Sequence, residues 1–84
     1  MVTLIEEPVE VSAVFRRGRM MPVSFAWRNR RYRVVRIAGA YRRRKGHSLE
    51  LHYSVLAEGG EEVYELRFST ERMAWWLERI HAAG

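Results

Sequence analysis

The chain predicts a mainly β fold: a single small antiparallel sheet of five to six strands, curled or partly closed into a barrel. Three observations carry that prediction. Leu49, Leu51, Tyr53, Val55 and Ala57 alternate without a break against Glu50, His52, Ser54, Leu56 and Glu58, the pattern of a strand with one buried face. Val23, Phe25 and Trp27 alternate in the same way with Ser24, Ala26 and Arg28. Turn-forming residues recur every roughly 8–12 residues, the rhythm of a small all-β domain built from short strands. With 84 residues, 48% of them hydrophobic, the chain is one domain with material for one core.

Residues 1–8 read as a lead-in, because Pro8 cannot donate to a ladder and interrupts any strand begun there. The β domain then occupies 9–82. Val9, Val11 and Ala13, or with a slip Val14 and Phe15, make a first strand that ends in the turn Arg16-Arg17-Gly18-Arg19. The strand after Pro22 reverses at Arg28-Asn29-Arg30-Arg31, where Asn tolerates the left-handed backbone of a tight hairpin. An Asn29-Arg30 loop sets Trp27 against Tyr32 and Phe25 against Val34, and turns Arg28, Arg31 and Arg33 outward. Val35 and Ile37 then break parity, which a bulge near Val34-Val35 repairs. The run Arg42-Arg43-Arg44-Lys45-Gly46 reads as a surface loop, since burying unpaired cations is prohibitive.

Gly59-Gly60 closes a hairpin that pairs Val55 with Tyr64, Tyr53 with Leu66 and Leu51 with Phe68. The last segment is two-sided. Met73, Trp76, Leu77 and Ile80 fall at i, i+3, i+4 and i+7 among good helix formers, so period and propensity favour an amphipathic helix. Read at period 2, Trp75 and Leu77 share one face, and Trp76 and Ile80 share the other.

Charge is distributed unevenly. Between Val11 and Leu49 there is no acidic residue, yet Arg16, Arg17, Arg19, Arg28, Arg30, Arg31, Arg33, Arg36, Arg42, Arg43, Arg44 and Lys45 all lie there. The remainder holds all 10 carboxylates and only three arginines, and the net charge is +5. A contiguous positive field attracts polyanions, and the guanidinium fork pairs two-pronged with phosphate. Arg28, Arg30, Arg31, Arg33 and Arg42 to Lys45 are therefore the candidate nucleic-acid contacts. The hairpin-borne Arg28, Arg31 and Arg33 rank above the loop run, because a held side chain loses less entropy on binding. The competing reading is a protein-interaction or homo-oligomerisation module in which the basic and acidic halves meet. Because strand neighbours cannot both face one core, either Trp75 or Trp76 points outward as a stacking or interface residue.

Chemistry finds little support. There is no Cys and no Asp, and His47, His52 and His81 stand near no nucleophile motif, so no catalytic set is expected. His47 and His52 lack the spacing and carboxylates of a metal site and read as surface or rim histidines, with His52 facing Arg67 across the hairpin. No cofactor is implied. No apolar run approaches the roughly 18 residues needed to span a bilayer, and a cytoplasmic protein without a membrane partner is expected. The scarcity of Asn, Gln and Cys beside abundant Glu and Arg is a composition seen in thermophiles.

Phe25, Trp27-Arg28-Asn29-Arg30, Tyr32-Arg33-Val34, Tyr53-Ser54-Val55, Gly60, Val63-Tyr64-Glu65-Leu66 and Trp75-Trp76-Leu77-Glu78-Arg79-Ile80 together resemble a known family. It is the small β domain of unassigned function found free-standing in bacteria and, in related form, at the C-terminal end of proteins similar to Y-family translesion polymerases. The likeness runs from about Val9 to Ile80. An aromatic-Arg-Gly-Arg turn in the family stands where this chain has Trp27-Arg28-Asn29-Arg30, and the family's closing carboxylate is replaced by Ala82. The resemblance implies a strand for the Trp-x-Leu segment, so the final element is expected to be a strand. It also implies an association with DNA-damage tolerance, by domain company alone.

Overall fold

Backbone pairing passes from each strand to the next and returns from the last to the first. The computed structural model describes residues 1–83 and shows six antiparallel strands: β1 (Val2–Arg16), β2 (Arg19–Trp27), β3 (Arg30–Lys45), β4 (Ser48–Ala57), β5 (Glu62–Ser69) and β6 (Ala74–Ala82). Their order around the barrel is the order of the sequence, with β6 closing onto β1. The mainly β class, the antiparallel sheet and the strand at the C-terminus are as expected. Among the described residues no helix is long and apolar enough to cross a membrane.

The β4–β5 register matches the one read from the alternation: Leu51↔Phe68, Tyr53↔Leu66 and Val55↔Tyr64. Apart from Leu51, which is half-buried against them, these residues form the core with Phe25, Trp75, Leu77 and Ile80, and Phe25, Val55, Leu66 and Leu77 are fully buried. At about 25 cal/mol per Å² of apolar surface removed from water, this single cluster is the main source of stability.

Four expectations need correction. The first is the lead-in, which is strand from Val2: Val2, Thr3 and Leu4 pair with His81, Ile80 and Arg79. A register shift between Leu4 and Glu7, with Glu6 at φ 50, lets β1 bend there. Pro8 pairs with Trp76 on one side, and on the other it lies before the first β1–β2 pair, Glu10↔Ala26, where the missing donor costs little.

Second, the β2–β3 turn is Arg28-Asn29, not Asn29-Arg30. Both residues adopt left-handed φ, 51 and 63, as a two-residue primed turn requires. The pairs are therefore Phe25↔Tyr32 and Trp27↔Arg30. Arg31 and Arg33 still face outward, while Arg30 takes the inward parity of Trp27.

Third, the run from Arg42 to Lys45 is strand and not loop. Arg42, Arg43, Arg44 and Lys45 pair with Leu51, Glu50, Leu49 and Ser48, and the turn is Gly46-His47. Ladder hydrogen bonds need only the backbone, so exposed arginines extend a strand at no desolvation cost. Fourth, because β1 starts at Val2 and β3 runs on to Lys45, these two strands are not short, at 15 and 16 residues. The anticipated bulge near Val34-Val35 is present as a register shift between Val34 and Arg36, and a second follows between Ile37 and Gly39.

Candidate nucleic-acid interface

An up-and-down barrel sends alternate turns to opposite ends. The turns β1–β2, β3–β4 and β5–β6 share one end; β2–β3 and β4–β5 lie at the other. The predicted contact residues are thereby split, with Arg28, Arg30, Arg31 and Arg33 at one end of β3 and Arg42 to Lys45 at its far end.

The β2–β3 end is plugged by aromatic rings. Phe25 stacks on Tyr32 with centroids 4.9 Å apart and planes at 8°, and Tyr64 packs against both at 5.2 and 5.3 Å. Trp27 joins Tyr32 at 6.2 Å. Its indole Nε1 donates to Glu7 Oε1 at 2.8 Å, while Arg28 Nη2 donates to Glu7 Oε2 at 2.9 Å and its guanidinium covers the Trp27 ring at 4.6 Å. Those two hydrogen bonds, Arg28's first, hold the Glu7 carboxyl below its ordinary value of 4.5. Arg30 lies over Tyr32 at 5.2 Å, Arg31 donates to Ser24 Oγ at 3.4 Å, and Arg33 is 3.8 Å from Glu58. Each predicted hairpin cation thus already has a partner within the chain.

The opposite end is arranged differently. Arg16, Arg17 and Arg19 ring the β1–β2 turn, and Arg42, Arg43, Arg44 and Lys45 run out along β3; all are exposed. Among the described residues none of them forms an ion pair with a carboxylate. Positive φ at Arg17, 54, and Gly18, 76, makes the β1–β2 turn the same tight type as its counterpart at the plugged end. Arg16, Arg17 and Arg19 were legible as charges; only the topology brings them beside Arg42 to Lys45. Two exposed aromatics sit here as well, Phe15 and Tyr41, which lie in imperfectly alternating stretches and gave no sequence signal.

The tryptophan pair divides as the strand reading requires. Trp75 is in the core against Phe68 and Tyr53, with centroids at 5.0 and 5.8 Å. Trp76 is on the outer face, half-buried, with the Arg67 guanidinium 4.7 Å and that of Arg72 5.8 Å from its ring centre. Its face is therefore already occupied by cations.

His52 corrects the rim expectation: it is only 5% exposed. It does face Arg67, its ladder partner. Arg67 contacts Glu78 at 3.0 Å, Glu50 at 3.3 Å and Glu6 at 3.5 Å. Tyr41 stacks on His52 at 4.6 Å and 4°. His52 Nδ1 is 3.4 Å from Glu78, and its Nε2, 3.5 Å from Glu50, is buried without a well-oriented hydrogen bond. Among the described residues no group of His, Asp or Glu is placed to hold a metal ion; Arg67 fills the space between these carboxylates.

No protein-family model matches the chain, and neither a curated protein nor a solved structure matches it.

Proposed function

We propose that this protein is a non-enzymatic β domain that binds the nucleic-acid backbone through the end of the barrel carrying Arg16, Arg17, Arg19, Arg42, Arg43, Arg44 and Lys45. The observation that carries the reading is that among the described residues these cations form no ion pair, in contrast to Arg28 and Arg33, which meet Glu7 and Glu58. Exposed arginines projecting from two hairpins give a strong field and lose little by exchanging water for phosphate. The resemblance to the domain that accompanies Y-family-like polymerases supports DNA-damage tolerance as the setting.

Labelled single- and double-stranded DNA and RNA, titrated at two salt concentrations, test the proposal. Affinity should fall by about 0.7–0.9 log units per phosphate contact for each tenfold rise in salt. Binding no tighter than about 100 μM at low salt, the weak edge of non-specific affinity, rejects it.

A protein-interaction or self-association reading draws on one observation. Glu58, Glu61 and Glu62 are exposed at the end opposite the basic hairpins, so a head-to-tail contact would pair opposite charges. Sedimentation at low salt separates the two: salt-reversible oligomers favour this second reading, and a monomer at high concentration removes self-association.

A further inference from the structure

β2 and β3 part company early. Their ladder runs only from Trp27↔Arg30 to Ser24↔Arg33, and beyond it the β1–β2 and β3–β4 hairpins diverge. Between them lies a cavity of ≈ 720 Å³. Its apolar lining comes from Phe15 and Met20 on one hairpin and from Ile37, Leu49, Leu51 and Tyr53 on the other, with Arg19 and Arg42 on its two sides. Strand parity explains the layout. Phe15 pairs with Met20, which packs on the core, so Phe15 belongs to the inward face; yet it is 78% exposed because no described residue closes over it. Arg42 pairs with Leu51, another core neighbour, so this arginine also belongs to the inward face.

An apolar floor with a cation on each lip suits a ligand that is anionic along one edge and flat and apolar along the other. A nucleotide in a single strand has that form. In a duplex the base is stacked and paired and cannot enter, whereas an unpaired base can lie on an aromatic side chain while its phosphates meet arginines. The floor offers little to read a base edge with: the Tyr53 hydroxyl is already committed to the Met20 carbonyl at 2.5 Å. Discrimination among bases is therefore weak.

We infer that the cleft between the two hairpins takes an unpaired base of a single strand, stacked on Phe15, while Arg19 and Arg42 hold the flanking phosphates. This rests on the backbone-binding function proposed above and adds to it a strand preference and a base site.

The experiment compares three labelled probes of equal length at one salt concentration: oligo(dT), an abasic strand of the same charge, and a duplex. Each is tested against the parent, Phe15→Ala and Phe15→Trp. Oligo(dT) should bind about tenfold tighter than the abasic strand, the typical effect of one stacked base. F15A should erase that difference without changing abasic affinity, and F15W should restore it. Phe15 is largely exposed, so F15A retains the fold, which a thermal melt verifies. Equal affinity of the parent for oligo(dT) and the abasic strand overturns the base site and leaves backbone binding standing. A duplex bound as tightly as oligo(dT) overturns the strand preference. Failure of all three probes to bind overturns both proposals. Phosphatidylglycerol vesicles provide the last arm: binding to them that F15A abolishes, without any preference for oligo(dT) over the abasic strand, assigns the cleft to a lipid and overturns the inference.

Discussion

Glu7 joins β1 to the β2–β3 turn by accepting from both Trp27 and Arg28. These hydrogen bonds favour its charged form, so its folded pKa lies below the 4.5 of an unconstrained glutamate. A depressed carboxylate contributes stability that is present above the unfolded value and is lost as pH falls through the folded one. NMR titration should place Glu7 below 4.5, and Arg28→Ala should raise it towards that value; a parent Glu7 titrating at or above 4.5 shows that the clamp is not formed in solution. Arg67 is the second residue on which much depends, since it contacts Glu6, Glu50 and Glu78 at once and covers Trp76. Arg67→Met leaves Glu50 and Glu78 close together around His52, and should cost about 3 kcal/mol in denaturant unfolding, at the low end for breaking a buried pair. Adding Glu78→Gln should recover part of that loss; strict additivity of the two changes rules out the coupling. The facing of His52 and Arg67 was legible from the β4–β5 alternation alone. The surrounding carboxylates were not, because Glu6 and Glu78 lie at register shifts in β1 and β6 that no local pattern announces.

Bulges also explain why the elements were legible to different degrees. β4 and β5 pair without a shift from Glu50↔Ser69 to Leu56↔Val63, and their register followed from parity. In β6 the register jumps between Glu65↔Arg79 and Leu66↔Leu77, so Glu78 is extra. The buried set becomes Trp75, Leu77 and Ile80, spaced by two and then three, and a strand so interrupted imitates a helical period. Charge misled in a comparable way at Arg42 to Lys45, where density suggested a loop but the ladder with β4 continues. The missing part of the β2–β3 ladder is bridged by Tyr53, which donates from β4 to the Met20 carbonyl on β2. Tyr53→Phe should lower stability by about 1 kcal/mol, the usual net worth of one hydrogen bond, and speed amide exchange around Met20 and Met21. Unchanged exchange there means the bond does not hold the hairpin. Burial raises the Tyr53 and Tyr64 hydroxyls above the ordinary 10.0. A raised folded value contributes stability that is complete below the unfolded value and lost as pH rises through the folded one, so chemical denaturation should show a decline beginning above pH 10. A flat profile there would show that the two phenols are as exposed as in the unfolded chain.

The whole molecule has two unlike ends, and that difference decides which arginines matter. Polarity of charge was visible in the sequence as an acid-free tract; its division between ends required the barrel, because β3 carries Arg30 at one end and Lys45 at the other. A hairpin position alone favours Arg28, Arg31 and Arg33 as contacts. Two of these three are already paired: Arg28 meets Glu7 and Arg33 meets Glu58, and a phosphate would have to displace those carboxylates. Arg42 to Lys45 also stand on a paired strand, in the β3–β4 ladder, and among the described residues none of them pairs with a carboxylate. Replacing Arg42, Arg43, Arg44 and Lys45 with glutamine should therefore flatten the dependence of log Kd on log salt by about 0.7–0.9 for each cation that meets a phosphate. The Arg28, Arg31 and Arg33 triple glutamine variant should leave that slope within about one contact of the parent. Neither replacement touches the core, so both variants should melt near the parent, with the triple somewhat lower through loss of the Glu7 clamp. If the triple variant flattens the slope and the quadruple does not, the nucleic acid lies on the plugged end, and Glu7 and Glu58 are displaced when it binds.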